Sequence, residues 1–277
     1  MKRTPITIAT LKEQKGKEAI SMLTAYDYCL AGLFDAAGIE IILVGDSLGN
    51  VVLGYSSTLP VTMEDIIHHT RAVVRGSNRA LIVADMPFMS YQASIEQGML
   101  NAGRLMKEGG ANAVKLEGGE EICELVSKLV VSGIPVMGHI GLTPQSVNQL
   151  GGFKVQGKSL NDAQKIINAA KALAEAGVFA LVLECIPDKL AARITAELDI
   201  PTIGIGAGNA CDGQVLVCND FLGMNSGFTQ KKKKKYRLLH DEISKATQEY
   251  IQDVKSRAFP SKEHVFGMNE ELLEKLY

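Results

Sequence analysis

The chain has 277 residues, 46% hydrophobic and 22% charged, with a formal net charge of -2. A chain of this length buries about three quarters of the surface its unfolded form exposes, so one large domain needs no disulfide or metal staple to fold. The near-neutral balance gives no general attraction to nucleic acid or to an anionic membrane, and the five cysteines, at 29, 123, 185, 211 and 218, form no Cys-x-x-Cys pair and suit reduced thiols in the cytoplasm.

The amino-terminal stretch MKRTPITIATLKEQKGKEAI interrupts its apolar residues with charge. No later segment reaches the roughly 18 to 20 uninterrupted apolar residues of a membrane helix, so neither secretion nor membrane insertion is expected. Short runs rich in β-branched residues then alternate with longer stretches of helical period. Strands are predicted at 20–25, 41–45, 80–85, 113–117, 135–139, 180–184 and 202–206, with a weaker eighth at 214–217. Amphipathic helices are predicted at 63–75, 95–108, 120–131, 162–176 and 189–198. After five lysines at 231–235 the pattern resumes as a helix at 238–255. Pro260 breaks the chain, and Asn269 is a fitting N-cap for a last short helix ending near 277.

Eight βα units in about 230 residues point to a (β/α)8 TIM barrel, one catalytic domain over 1–277 with a C-terminal helical extension. A doubly wound open sheet shares the alternation. The position of the polar residues discriminates between them, because Asp46, Asp85, Lys115 with Glu117, His139 and Glu184 all fall at the carboxyl ends of predicted strands. In a barrel those ends converge on one mouth, whereas an open sheet spreads some of them beyond reach of the others.

Asp46, Asp85 and Glu117 offer three hard oxygen donors, the ligand type that Mg²⁺ prefers, and two or three carboxylates leave positions free for a chelating substrate. Taken singly, each acid could instead cap a helix or form a surface ion pair. Lys115 and Glu117 lie two apart on one strand and so share a face, which in a barrel interior requires pairing or a ligand. Lys115 could bind a substrate oxygen, form a Schiff base or neutralise nearby acids. Glu184 closes the apolar run 179–183 and is the acid/base candidate, with a capping or ion-paired role as the alternative. His139 could polarise an oxygen or serve structure.

Other features carry less. Cys185 lacks a visible cationic activator and reads as a packing residue. Of the adjacent His68 and His69, one is expected in the core and one on the surface. GIGAGN at 204–209 could cradle a phosphate or provide a tight bend. The lysine run has no aromatic interleaving and reads as a solvated face.

Together the motifs TAYDY (24–28), VGDSLGNVVLGYSSTLPVTMEDI (44–66), ADMPF (84–88), VKLEGG (114–119), GHIGLTPQS (138–146), GGFKVQGK (151–158), LECIP (183–187) and IGIGAGNACDGQVLV (203–217) resemble the ketopantoate hydroxymethyltransferase family, in the family's order. The resemblance implies Mg²⁺ held by Asp46, Asp85 and Glu117, the last acting directly or through water. It implies an oxo-acid pocket of Asp46, Ser47, Asp85 and Lys115, to which His139 is added as a substrate contact, and Glu184 as proton acceptor. It further implies 5,10-methylenetetrahydrofolate as one-carbon donor, a role in pantothenate synthesis, and a homo-oligomer, a decamer in bacterial members, with residues 258–277 against a neighbouring subunit. Small molecules are then the ligands, with no nucleic acid or membrane partner. One departure stands out: after Gly227 the family carries a Pro-Lys-Phe type segment, and this chain has Phe228-Thr229-Gln230 followed by the lysines. Competing readings are another Mg²⁺-dependent barrel lyase or mutase acting on a 2-oxo acid, and a noncatalytic ligand-binding barrel.

Overall fold

The computed structural model describes residues 4–225 and 234–276. Most of the lysine run and its flanking departure from the family pattern therefore lie outside the described residues, as does Tyr277. The chain divides into two compact units, Met1–Cys218 and Asn219–Tyr277, a division well ahead of residue 258, where the sequence marks the onset of the tail.

The first unit is a closed barrel of eight parallel strands. They are β1 (Ile20–Thr24), β2 (Ile41–Val44), β3 (Leu81–Asp85), β4 (Ala113–Glu117), β5 (Val136–Gly141), β6 (Ala180–Glu184), β7 (Thr202–Ile205) and β8 (Gly213–Leu216), in sequence order around the wall, with β8 pairing back onto β1. The TIM barrel expected from the sequence is thus the observed fold. Side chains of one parity point inward. Ile20 and Met22, Ile41 and Leu43, Leu81 and Val83, Ala113, Met137, Ala180 and Val182, Ile203 and Val215 form one buried cluster, joined by Ile6 and Leu11. Such alternation fills the barrel interior in layers. The next inward positions along the strands are Thr24, Asp85, Lys115 then Glu117, His139 and Glu184. The same pleat that packs the core therefore delivers polar groups to the carboxyl-terminal mouth.

Helices follow the strands much as the hydrophobic period requires, at Met63–Gly76, Ile95–Arg104, Cys123–Val131, Leu160–Ala176 and Asp188–Glu197. Two differ in detail from the sequence reading. The segment expected to be helical over 95–108 widens into a π turn at Leu105–Gly109 before left-handed Gly110 ends it, and the helix expected from 120 begins as a 3-10 turn over Glu120–Ile122. Periodicity also missed Tyr28–Ala37, which is capped by the Asp27 side chain and ended by left-handed Gly38. This helix is apolar nearly all round, with Leu33 exposed beside buried Ala31 and Phe34, so no polar face betrays it.

In the second unit, the helix Leu239–Ser256 ends at left-handed Arg257, and Asn269 caps Glu270–Leu273 by accepting from the Glu271 amide, as its position predicts. No helix among the described residues is long and apolar enough to cross a membrane.

One carboxylate ties the barrel's first units together. Asp35, buried in the helix Tyr28–Ala37, accepts hydrogen bonds from Ser77 Oγ (2.8 Å) and from the amides of Asn78 (3.1 Å), Arg79 (2.9 Å) and Ala80 (2.7 Å) on the approach to β3. Burial opposes its ionisation, but these donors outweigh burial and hold its carboxyl below the ordinary aspartate range. We expect Asp35→Ala, which strands three main-chain donors, to cost on the order of 3 kcal/mol in denaturant unfolding at neutral pH. Because the folded pKa is depressed, that contribution is complete above the unfolded value of about 3.9 and is lost as pH falls through the folded one. A gap between wild type and variant that stays constant down to strongly acidic pH would contradict this account.

Candidate active site

Parallel register brings together residues far apart in sequence. Asp85 lies opposite Lys115, Glu117 opposite His139, and Gly141 opposite Glu184. Lys115 Nζ sits 2.6 Å from Asp85 Oδ1 and 3.3 Å from His139 Nδ1. The imidazole lies between two glutamates, with Nδ1 3.4 Å from Glu117 Oε1 and Nε2 3.2 Å from Glu184 Oε2. Asp46, just past β2, donates its amide to Asp85 Oδ2 at 2.9 Å. Gly45 makes this approach possible, because a Cβ there would stand 2.9 Å from Ser47 Oγ and 3.3 Å from Asp85 Oδ2. Asp46, Asp85, Lys115, Glu117 and His139 are all buried, whereas the Glu184 side chain keeps 18% of its surface exposed. Every candidate site residue named from the sequence lies at this mouth. Ser47 stands at its edge, 2.8 Å from Tyr26 OH.

The charges set one another's protonation. Burial, then the neighbouring Asp85 and Glu117, push the Asp46 carboxyl well above the usual aspartate range. Burial pushes Asp85 up as well, against the pull of Lys115. Burial likewise opposes Glu117, but its hydrogen bond and charge interaction with His139, with help from Lys115 and the Gln145 amide, hold it below the glutamate range. For Lys115, burial favours the neutral amine and is outweighed by Asp85, Glu117 and Asp46, which keep the ammonium charged. A protonated amine is no nucleophile, so the site favours the electrostatic role of Lys115 over a Schiff base. Burial and Lys115 work against the His139 imidazolium, yet Glu117 and Glu184 prevail and its pKa is pushed up to about 9.

The residue that sequence reading missed is Gln145. Its main-chain N–H donates to Glu117 Oε2, and its Nε2 donates to Asp46 Oδ2 and to the Met86 carbonyl, each at 3.0 Å. Its Oε1 faces Tyr91 OH at 3.0 Å and accepts from Gln92 Nε2 at 3.1 Å. The Tyr91 hydroxyl also lies 2.8 Å from the Glu117 carbonyl and accepts from the Glu117 amide at 3.1 Å. Burial pushes the Tyr26 and Tyr91 phenols up, so both remain neutral hydroxyls. The signal in the sequence is slight: Thr143-Pro144 opens the 3-10 turn Pro144–Ser146, which carries Gln145 over the acids.

Several remaining features take structural places. Cys185 adopts a left-handed φ of 48° directly after Glu184, and its backbone pairs with Ile205 and Gln156. His68 is exposed, as one of the pair was expected to be, whereas His69 is half-buried rather than in the core, with Nδ1 2.6 Å from the Tyr26 carbonyl. In GIGAGN, Gly206 and Gly208 take positive φ, and the Gly208 carbonyl accepts from Gln214, as in a tight bend.

Among the described residues no three His, Cys, Asp or Glu side chains are disposed as a ready cluster for an ion. The sequence-derived set Asp46, Asp85 and Glu117 is therefore near but not preassembled. Asp46 Oδ2 and Glu117 Oε2 are engaged by Gln145, and Lys115 crowds Asp85 Oδ1, an oxygen that receives no hydrogen bond of proper geometry. The donor chemistry nevertheless fits a hard divalent cation, since buried carboxylates that raise one another's pKa are relieved by such a charge.

The chain resembles solved structures across nearly its full length. Phosphoenolpyruvate phosphomutase from Streptomyces platensis subsp. rosaceus aligns with a TM-score of 0.61 at 14% identity, covering 97% of this chain and 93% of that one. A 2,3-dimethylmalate lyase aligns at 0.59 and 14% identity, covering 99% and 95%. At such identity the likeness establishes the fold alone. Sequence relatives go further. Proteins named 3-methyl-2-oxobutanoate hydroxymethyltransferase are 60% identical in Carboxydothermus hydrogenoformans, over 98% of this chain and 99% of the relative, and 59% identical in Enterococcus faecalis, again over 98% and 99%. The family model for ketopantoate hydroxymethyltransferase matches residues 5–262. With the acids, the lysine and the facing glutamate at one barrel mouth, these matches place the chain in the ketopantoate hydroxymethyltransferase family.

Proposed function

We propose that this enzyme transfers a hydroxymethyl group from 5,10-methylenetetrahydrofolate to 3-methyl-2-oxobutanoate, giving ketopantoate and tetrahydrofolate for pantothenate synthesis. The observation that carries the reading is Glu184, partly exposed, facing across His139 a buried group of one lysine and three acids. Asp46, Asp85 and Glu117 would hold Mg²⁺. When bound, the cation would supply Lewis-acid stabilisation of negative charge on the carboxylate and 2-oxo oxygens of the substrate.

The chain's own residues supply the rest. The Lys115 ammonium and Ser47 hydroxyl bind the oxo acid's oxygens and orient it. Glu184 accepts the proton as the C3–H bond breaks, and the electron pair moves toward the 2-oxo oxygen. His139 lies beside the accepting carboxylate and, as an imidazolium, holds it in place. C3 bonds to the donor methylene as the first of that carbon's two carbon–nitrogen bonds breaks, and the freed nitrogen takes the proton that Glu184 accepted. Water then supplies the hydroxyl oxygen as the second carbon–nitrogen bond breaks, and the water's remaining proton goes to that nitrogen. The same reading carries a cytoplasmic homo-oligomer, a decamer, with residues 258–277 against a neighbouring subunit. Exposed Ile243, Tyr250, Ile251 and Val254 on the helix Leu239–Ser256 support an apolar contact in that unit.

With Mg²⁺, 3-methyl-2-oxobutanoate and methylenetetrahydrofolate, the purified protein is expected to form ketopantoate. Turnover of a phosphonate or an isocitrate-like acid, with no folate-dependent product, would replace this function with a lyase or mutase. Glu184→Gln is expected to keep oxo-acid binding while lowering exchange of the C3 hydrogen with solvent by at least about 100-fold. Unchanged exchange removes Glu184 from the base role. For Asp46→Ala and Asp85→Ala we expect Mg²⁺ affinity to fall about tenfold or more in calorimetric titration, and an unaltered isotherm would refute their assignment as ligands.

A further inference from the structure

A cleft of about 440 Å³ opens beside the acids, between the loops that follow β3, β4 and β5 and the helix Leu160–Ala176. That size lies in the range of small-molecule sites. None of the residues given to the oxo acid lines it; the cleft meets the site at Glu117 and Gln145. We propose that this cleft binds the one-carbon donor, with its bicyclic ring at the inner end and its glutamate tail at Lys165. The assignment rests on the function proposed above and deepens it.

Position argues first. The cleft meets the acids where Glu117 at the end of β4, Ile140 and Gly141 at the end of β5, and Gln145 line it. Gly141 lies in register with Glu184, and a Cβ on it would overlap the Glu184 carbonyl oxygen. With φ at +95°, the position strongly favours glycine as well. The cleft thus ends against the backbone of the residue that takes the C3 proton, where a donor carbon has to arrive. Gln145 joins the two compartments, since it lines the cleft while its Nε2 donates to Asp46.

Composition argues second. The walls are apolar and partly aromatic, with Ile122, Ile166 and Ala169 on the helical side and half-exposed Phe88 opposite them in sequence origin, after β3. A flat heterocycle suits such walls. The carboxylates Glu117 and Glu121 also line the cleft, and Glu121 Oε1 is held by the Gly119 amide at 2.8 Å. Carboxylates accept from amino and ring N–H donors and repel a phosphate, which argues against a phosphorylated occupant. Among the described residues Lys165 is the sole basic residue lining the cleft, one helical turn from Ala169 on the same helix face. A ligand with ring N–H donors toward Glu117 and a carboxylate within reach of Lys165 matches these groups, with Glu121 standing beside Ala169 on the helical side.

The test uses the full-length enzyme with Lys165→Glu and, separately, Ala169→Leu, which adds bulk to the cleft wall. Two reactions are read: the complete folate-dependent turnover, and C3 hydrogen exchange of 3-methyl-2-oxobutanoate with no folate present. The proposal expects Lys165→Glu to raise the KM for methylenetetrahydrofolate about tenfold, and Ala169→Leu to raise it as well. Exchange and the KM for the oxo acid should stay within about twofold of wild type in both. A methylenetetrahydropterin lacking the benzoylglutamate tail should lose no affinity on Lys165→Glu but should lose it on Ala169→Leu. Unchanged donor KM in both variants, with exchange intact, overturns the cleft assignment and leaves the proposed function standing. Absence of folate-dependent product from the unaltered enzyme overturns both.

Discussion

The mouth of this barrel depends on the buried ammonium of Lys115. Asp46, Asp85 and Glu117 are packed within interaction range of one another in a site nearly closed to water, and three uncompensated carboxylates there would be prohibitively costly. Lys115 offsets part of that charge through its 2.6 Å contact with Asp85. His139 offsets more by standing between Glu117 and Glu184. Two cationic groups thus face four carboxyls, so the anionic charge is offset only in part and the site can accept a further positive charge.

Much of this was legible in the sequence because the inward face of a strand repeats every second residue. In β4, Ala113, Lys115 and Glu117 share one face while Val114 and Leu116 turn to the helices, so a charged pair two residues apart announces a site rather than a surface. The same logic places Asp85, His139 and Glu184. Gln145 escaped because a neutral amide in a short 3-10 turn has no period, and its importance lies in five polar contacts made by a bent segment. Tyr28–Ala37 escaped for the opposite reason, since an almost uniformly apolar helix has no contrasting face. The π turn at Leu105–Gly109 leaves the spacing of apolar residues intact and so is invisible to it.

Fold and family answer different questions here. Neighbours that share the barrel at 14% identity or less bear names of mutases, hydrolases and lyases, which illustrates how one scaffold hosts several chemistries. In this chain the site is shaped at the strand ends, where Gly45 admits Asp46 to Asp85 and Gly141 lies against the Glu184 carbonyl. Small residues at the rim decide which acids can meet, and relatives sharing about 60% of their residues carry the family assignment where the fold cannot.

The return of β8 onto β1 has a consequence beyond the site. Every strand of the wall has hydrogen-bonded neighbours on both sides, so the described barrel presents no free sheet edge onto which a foreign strand could add. Any association of this unit with another molecule has to be built from helix faces and loops, whose side chains can be changed without disturbing the ladder that holds the residues of the mouth in register.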